Sequence, residues 1–232
     1  MAIQSSDMLV RMQQSVPPAL HDKLATHYDA WLQGCERDNL SPDPGIAPVL
    51  LGKIWACSEF VAQTSCRRPS LWFELLQNND LEREFELVDY QAALGDILDS
   101  LSASDDAALM HRLRLFRQKQ MLRIAWRDLA GSASTSETLR NLTDLAETCV
   151  DLTLEFLYQD QCKQLGTPCS ADGSEQRLIV LGMGKLGGHE LNFSSDIDLI
   201  FGFPEEGETQ GARSMANSQF FVRLAQRFIR VI

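Results

Sequence analysis

The chain has 232 residues, 44% of them apolar, with 32 Asp/Glu against 21 Lys/Arg and a formal charge of −11. That length holds one large domain or two ordinary ones with enough apolar residues for a core. Residues 177–232 carry six charges of each sign, so the whole net charge lies in residues 1–176; a body this acidic repels a polyanion, which disfavours polymerase-like handling of DNA or RNA.

No apolar run approaches the ~20 residues of a membrane span, and Met1 to Met12 lacks the basic and apolar regions of a signal peptide. The expected setting is the cytoplasm, with no membrane partner. The six cysteines, at 35, 57, 66, 149, 162 and 169, show no C-x-x-C pair and no zinc-ligand spacing, and read as reduced structural thiols.

In chain order, Pro17-Pro18 opens a helical pattern from Ala19 to Leu32, and Ser41-Pro-Asp-Pro-Gly45 ends it as a loop. Ile46 to Val61 reads as one helix and Pro69 to Leu76 as a short one. Leu81 to Leu101 and Asp105 to Leu129 follow as longer helices, with Ser104 the expected cap of the second. Six basic residues fall within Arg112 to Arg127. They fit either a solvated face pairing with Glu82, Glu84, Glu86 and Asp89, or a surface turned to a phosphate or protein substrate. Ser134 and Glu137 have capping-box spacing ahead of a long helix to Leu165. Gly166 to Gln176 reads as a loop, and no strand is expected before about residue 175. Pro204 to Arg213 reads as a second loop, and Met215 to Ile232 as an amphipathic closing helix.

Chemistry concentrates between Arg177 and Phe203. Leu178 to Leu181 is a buried-strand run ending in glycines. From Asp196 to Phe201 the pattern alternates, so Asp196, Asp198 and Ile200 share one face and Ile197, Leu199 and Phe201 the other. Two carboxylates then project together, about 6–7 Å apart at Cα. Gly182-Met-Gly184-Lys-Leu-Gly187 fits the dinucleotide fingerprint, but seven residues between Gly188 and Asp196 are too few for a crossover helix. A P-loop is excluded because Leu186 follows Lys185. An Asp-x-Asp pair can be the wet face of an edge strand or, after Gly187-Gly188 and Ser194-Ser195, a hard-cation site for a phosphate substrate. Gly187 and Gly188 make either an ordinary turn or one that a phosphate approaches closely. Ser195 either donates to phosphate or caps the turn. Lys185 either neutralises a phosphate or is solvated, and His189 reads as a surface histidine.

The string Gly182-Met-Gly-Lys-Leu-Gly-Gly-His-Glu-Leu-Asn-Phe-Ser-Ser-Asp-Ile-Asp-Leu-Ile-Phe201 resembles the glutamine-synthetase adenylyltransferase/adenylyl-removing enzyme family, of the polymerase-β-like nucleotidyltransferase superfamily. The Glu190-Leu-Asn192 form resembles its adenylyl-removing half. The resemblance implies that phosphate attacks AMP on a glutamine-synthetase tyrosine and releases ADP, under control by PII signal proteins and glutamine, in an enzyme that also handles ATP. It implies Asp196 and Asp198 as the catalytic, Mg²⁺-binding pair, and Gly187, Gly188, Ser195 and Lys185 as phosphate- or nucleotide-binding. The family's third carboxylate would fall beyond Ile232, so the expectation is an N-terminal fragment, inactive alone. The expected fold is α+β, mostly α: an all-helical body over 1–165, a linker loop over 166–176, and over 177–232 the start of a nucleotidyltransferase-like mixed sheet with a closing helix. A helical protein-interaction module with an inactive edge, and a small-molecule nucleotidyltransferase, are the competing classes.

Overall fold

The computed structural model describes residues 5–211 and 214–232. It is α+β and mostly helical. Among the described residues no helix is long and apolar enough to cross a membrane.

By packing, the chain forms two compact units from interleaved segments. The first joins Met1–Glu84 to Gln118–Thr138, and the second joins Phe85–Arg117 to Leu139–Ile232. The first unit holds α1 (Ser5–Gln13), α2 (His21–Arg37), α3 (Pro48–Cys57), α4 (Glu59–Arg67), α5 (Pro69–Gln77) and residues 118–130 of α7 (Asp106–Ala130). Its core is aromatic: Trp31, Trp55, Trp72 and Trp126 are sealed from solvent, with Trp72 and Trp126 edge to face at 4.7 Å. A buried indole N–H needs an acceptor. Trp31 donates to Pro42 O and Trp72 to Pro44 O, which ties the Ser41–Gly45 loop to the core.

Ile46 to Val61, expected as one helix, is two: the chain turns extended at Ser58, whose hydroxyl accepts from Val61 N–H and starts α4. An N-capping serine satisfies an orphan amide, and here it outweighs continuity of the apolar pattern. The expected helix from Leu81 begins only at Leu87, as α6 (Leu87–Asp99), with Glu86 N–H donating to Asp89. Leu81 and Phe85 are buried all the same, so burial imitated helical periodicity. Asp105, not Ser104, caps α7 by accepting from Ala108 N–H. Arg127 is buried and bonds Glu137, Leu81 O and Ser132 O, while Lys119 pairs with Glu74 at 3.0 Å. These two basic groups brace the first unit.

The second unit holds α6, residues 106–117 of α7, most of α8 (Thr135–Leu165), two small sheets and α10 (Asn217–Val231). The expected absence of strands before residue 175 is wrong. Thr167–Cys169 is a strand, β1, inside the expected loop 166–176, and it pairs antiparallel with β4 (Glu208–Gln210), inside the expected loop 204–213. Backbone and side-chain bonds build this sheet without any period-2 apolar signal: Asn217, fully buried, donates to Cys169 O at 2.9 Å. The second sheet pairs β2 (Ile179–Gly182) with β3 (Leu199–Gly202), also antiparallel, with Leu181 opposite Ile200. Two separate antiparallel pairs thus stand where one mixed sheet was expected. Phe201 and Phe203 rest on Phe228 and Phe221 of α10. Arg227 ties α10 to Asp106 and Asp160. All six cysteines are free; burial pushes the Cys66 and Cys149 thiols up to about 12, where they stay protonated and inert.

Candidate functional site

The glycine-rich segment leaves β2 at Gly182 and forms one helical turn, α9 (Gly184–Gly187), before running through residues 188–198 into β3. Met183 N–H donates to Asp198 O at 2.9 Å, extending the ladder past β3 and drawing the start of the turn against the carboxylate segment. Asp196 and Asp198 precede the hydrogen-bonded strand, yet the alternation holds through them: Asp196, Asp198 and Ile200 are exposed while Ile197, Leu199 and Phe201 are half-buried. One face is therefore set by packing against α10, and the other is left to the carboxylates.

Gly187 is needed for closeness. A Cβ there would sit 2.3 Å from Gly182 O, an impossible contact, so only glycine lets α9 lie on β2. The amides of Gly187 and Gly188 donate to Met183 O and Gly184 O; they serve the turn itself. Lys185 is exposed. Ser195 Oγ donates to Asn192 Oδ1 at 2.5 Å and its amide to Asn192 O, so in this structure it orders the turn leading to Asp196.

Neither Asp196 nor Asp198 has an ion pair or side-chain hydrogen bond to another described residue. Free, solvent-facing carboxylates are the oxygen donors Mg²⁺ takes, in company with substrate phosphate and water. Among the described residues no group of three or more His, Cys, Asp or Glu could hold a metal.

Helix α8 supplies groups the sequence did not single out. Thr143 Oγ1 accepts from Leu191 N–H at 3.3 Å, and Glu147, one turn on, lies 3.6 Å from His189 Nδ1. Burial raises the Asp144 and Glu147 carboxyls above their ordinary values, offset in part by Arg140 at Asp144 and by His189 at Glu147. A threonine inside a helix gives no linear signal of such a contact, which joins positions 48 residues apart.

The glutamate-ammonia ligase adenylyltransferase family model matches residues 49–232. The chain belongs to this family. Relatives named bifunctional glutamine synthetase adenylyltransferase/adenylyl-removing enzyme include one from Thioalkalivibrio sulfidiphilus, 46% identical over 217 residues, covering 94% of this chain and 22% of the relative. One from Hahella chejuensis is 43% identical over 222 residues, with the same coverages. One from Pseudomonas aeruginosa is 46% identical over 182 residues, 78% of this chain and 18% of the relative. The chain thus spans about a fifth of the length of these relatives.

Proposed function

We propose that this chain contributes the metal and phosphate site of an enzyme that removes AMP from adenylylated glutamine synthetase by Mg²⁺-dependent phosphorolysis, in the cytoplasm. The observation that carries the reading is the free Asp196/Asp198 pair held beside the glycine turn by the Met183–Asp198 bond. Phosphate approaches the bare Gly187-Gly188 turn, with Lys185 balancing one of its charges as a point cation. Ser195, released from Asn192, offers a donor to a phosphate oxygen.

In the step itself, a phosphate oxygen forms a bond to the phosphorus of the tyrosine-bound AMP while the bond from that phosphorus to the tyrosyl oxygen breaks. ADP leaves, and the tyrosyl oxygen takes up a proton. Bound Mg²⁺ would supply charge stabilisation for the attacking and leaving oxygens, and Asp196 and Asp198 would hold it. Residues 1–232 alone, with two protein ligands for the ion, are inactive and bind Mg²⁺ and ADP weakly. In the full-length protein the same enzyme also carries the opposite, ATP-dependent adenylylation, under control by PII signal protein.

Asp198→Asn and Asp196→Asn in the full-length protein test this. Each lowers AMP removal by about a thousandfold or more, the loss of several kcal/mol of charge stabilisation, with unchanged circular dichroism. The readout is the mass of glutamine synthetase after incubation with phosphate and Mg²⁺. Wild-type rates in both variants would remove the assignment.

A further inference from the structure

The segment between Met183 and Asp198 is pinned at its neck by the Met183–Asp198 bond. Above the neck its hydrogen bonds fall into two separate sets. The first closes the glycine turn: Gly187 N–H to Met183 O, Gly188 N–H to Gly184 O, His189 N–H to Leu186 O and Glu190 N–H to Lys185 O. The second closes the approach to the carboxylates, with Ser195 donating to Asn192 through both its amide and its hydroxyl. Among the described residues no hydrogen bond joins the two sets. What lies between them is Leu191, whose side chain is buried and whose N–H leaves the segment altogether, to Thr143 Oγ1 on α8.

Thr143 is built to receive it. The residue is sealed from solvent, and its own hydroxyl hydrogen goes back to Leu139 O at 3.0 Å. With that hydrogen committed, an oxygen lone pair stays free for the Leu191 amide, so the acceptor does not rotate away. One helical turn further on, Glu147 faces His189, whose backbone takes the left-handed conformation at φ 54°. The α8 surface therefore touches the segment at the end of its first set and at the joint between the two.

We propose that Thr143 is a positioning residue: its hydroxyl fixes the joint at Leu191 and thereby sets the glycine turn and Lys185 against Ser195 and Asp196. This rests on the reading of the site given above. Without the acceptor the Leu191 N–H is buried and unmet, the joint drifts, and the two halves of the phosphate site lose register. The carboxylate nearest the neck, Asp198, keeps its place because the ladder bond holds it. The consequence is a weaker grip on phosphate with a smaller change in turnover once phosphate is bound.

The experiment uses the full-length enzyme with Thr143→Val, which keeps the shape and removes the acceptor, Thr143→Ser, which keeps the acceptor, and Asp198→Asn. The expected result for Thr143→Val is a KM for phosphate raised about tenfold, the cost of one unmet buried amide, with kcat within threefold. Hydrogen exchange at the Leu191 amide speeds up by a similar factor, and Thr143→Ser restores all three values. Should Thr143→Val not fold, Thr143→Ala, which leaves room for water at the amide, is expected to give the same rise in KM. A phosphate KM within twofold of wild type in the Val or Ala variant, beside an inactive Asp198→Asn, overturns the positioning role while leaving the site reading intact. Unfolding of both variants makes Thr143 a determinant of the fold instead and also overturns it. An active Asp198→Asn defeats the site reading itself.

Discussion

The two small sheets of the second unit are held together in opposite ways. The β1–β4 pair is three residues long on each side and is closed in on itself: Thr209 is buried, Asn217 donates to Cys169 O, and Gly207 lies so near β1 that a Cβ would be 2.0 Å from Cys169 O. The β2–β3 pair is open. One face rests on α10 through Phe201 and Phe203, and the other presents Ile179, Leu181 and Ile200 to solvent, all at 46% exposure or more. Asp196 and Asp198 continue that open face. A closed sheet of backbone bonds can do little but hold the chain, whereas an open face leaves room for a ligand.

The largest expected effect breaks the closed sheet. Gly207→Ala forces the Cys169 carbonyl and Asn217 apart, and we expect a loss of about 3 kcal/mol, read as a thermal midpoint lower by about 6–12 °C. A change under 1 kcal/mol would mean that the β1–β4 pairing gives way without cost.

Removing what both sheets share comes next, because α10 carries Asn217 against one and Phe228 against the other. Arg227→Met breaks the tie to Asp106 and Asp160, costing about 2–3 kcal/mol at neutral pH for a partly buried network. Burial works against the Asp106 carboxylate, but Arg227 and then Arg230 prevail and hold its pKa below the ordinary 3.8. A depressed carboxyl contributes stability that is complete above its unfolded value and is lost as pH falls through the folded one. Urea melts from pH 7 to pH 2 should show the wild type losing this increment below pH 4, and Arg227→Met losing less. Parallel curves would remove Asp106 from the account.

Within the open sheet the two faces differ. Phe201→Ala, on the face against Phe228, should cost about 2 kcal/mol, less than a fully buried phenylalanine because the ring is half-covered. On the other side Gly202→Ala meets nothing within 4 Å, and should change stability by no more than about 0.5 kcal/mol. Equal losses would show that both faces are covered.

This contrast also explains what could be read from sequence. Asp196 to Phe201 announced a strand by its alternation, the trace of a one-sided core; Leu178 to Leu181 announced one as a buried run, yet Ile179 and Leu181 are 46% and 55% exposed, so that strand too is covered on one face alone. The β1–β4 pair left no such trace: Pro168 and Glu208 are poor strand formers, and the sheet depends on Asn217 and on chain crossings distant in sequence. The same alternation put Asp196 and Asp198 on one face, and Gly187-Gly188 marked the turn before them. Thr143 was not legible, because its role exists only once α8 meets Leu191.

The attacking group proposed for the open-face site is inorganic phosphate. Incubating the full-length enzyme with adenylylated glutamine synthetase, Mg²⁺ and isotopically labelled phosphate tests it most directly. The prediction is one labelled phosphoryl group in each ADP released, as the terminal phosphate, and none with Asp198→Asn. Release of unlabelled AMP, with no label in any nucleotide, would mean that water attacks instead and would contradict the account.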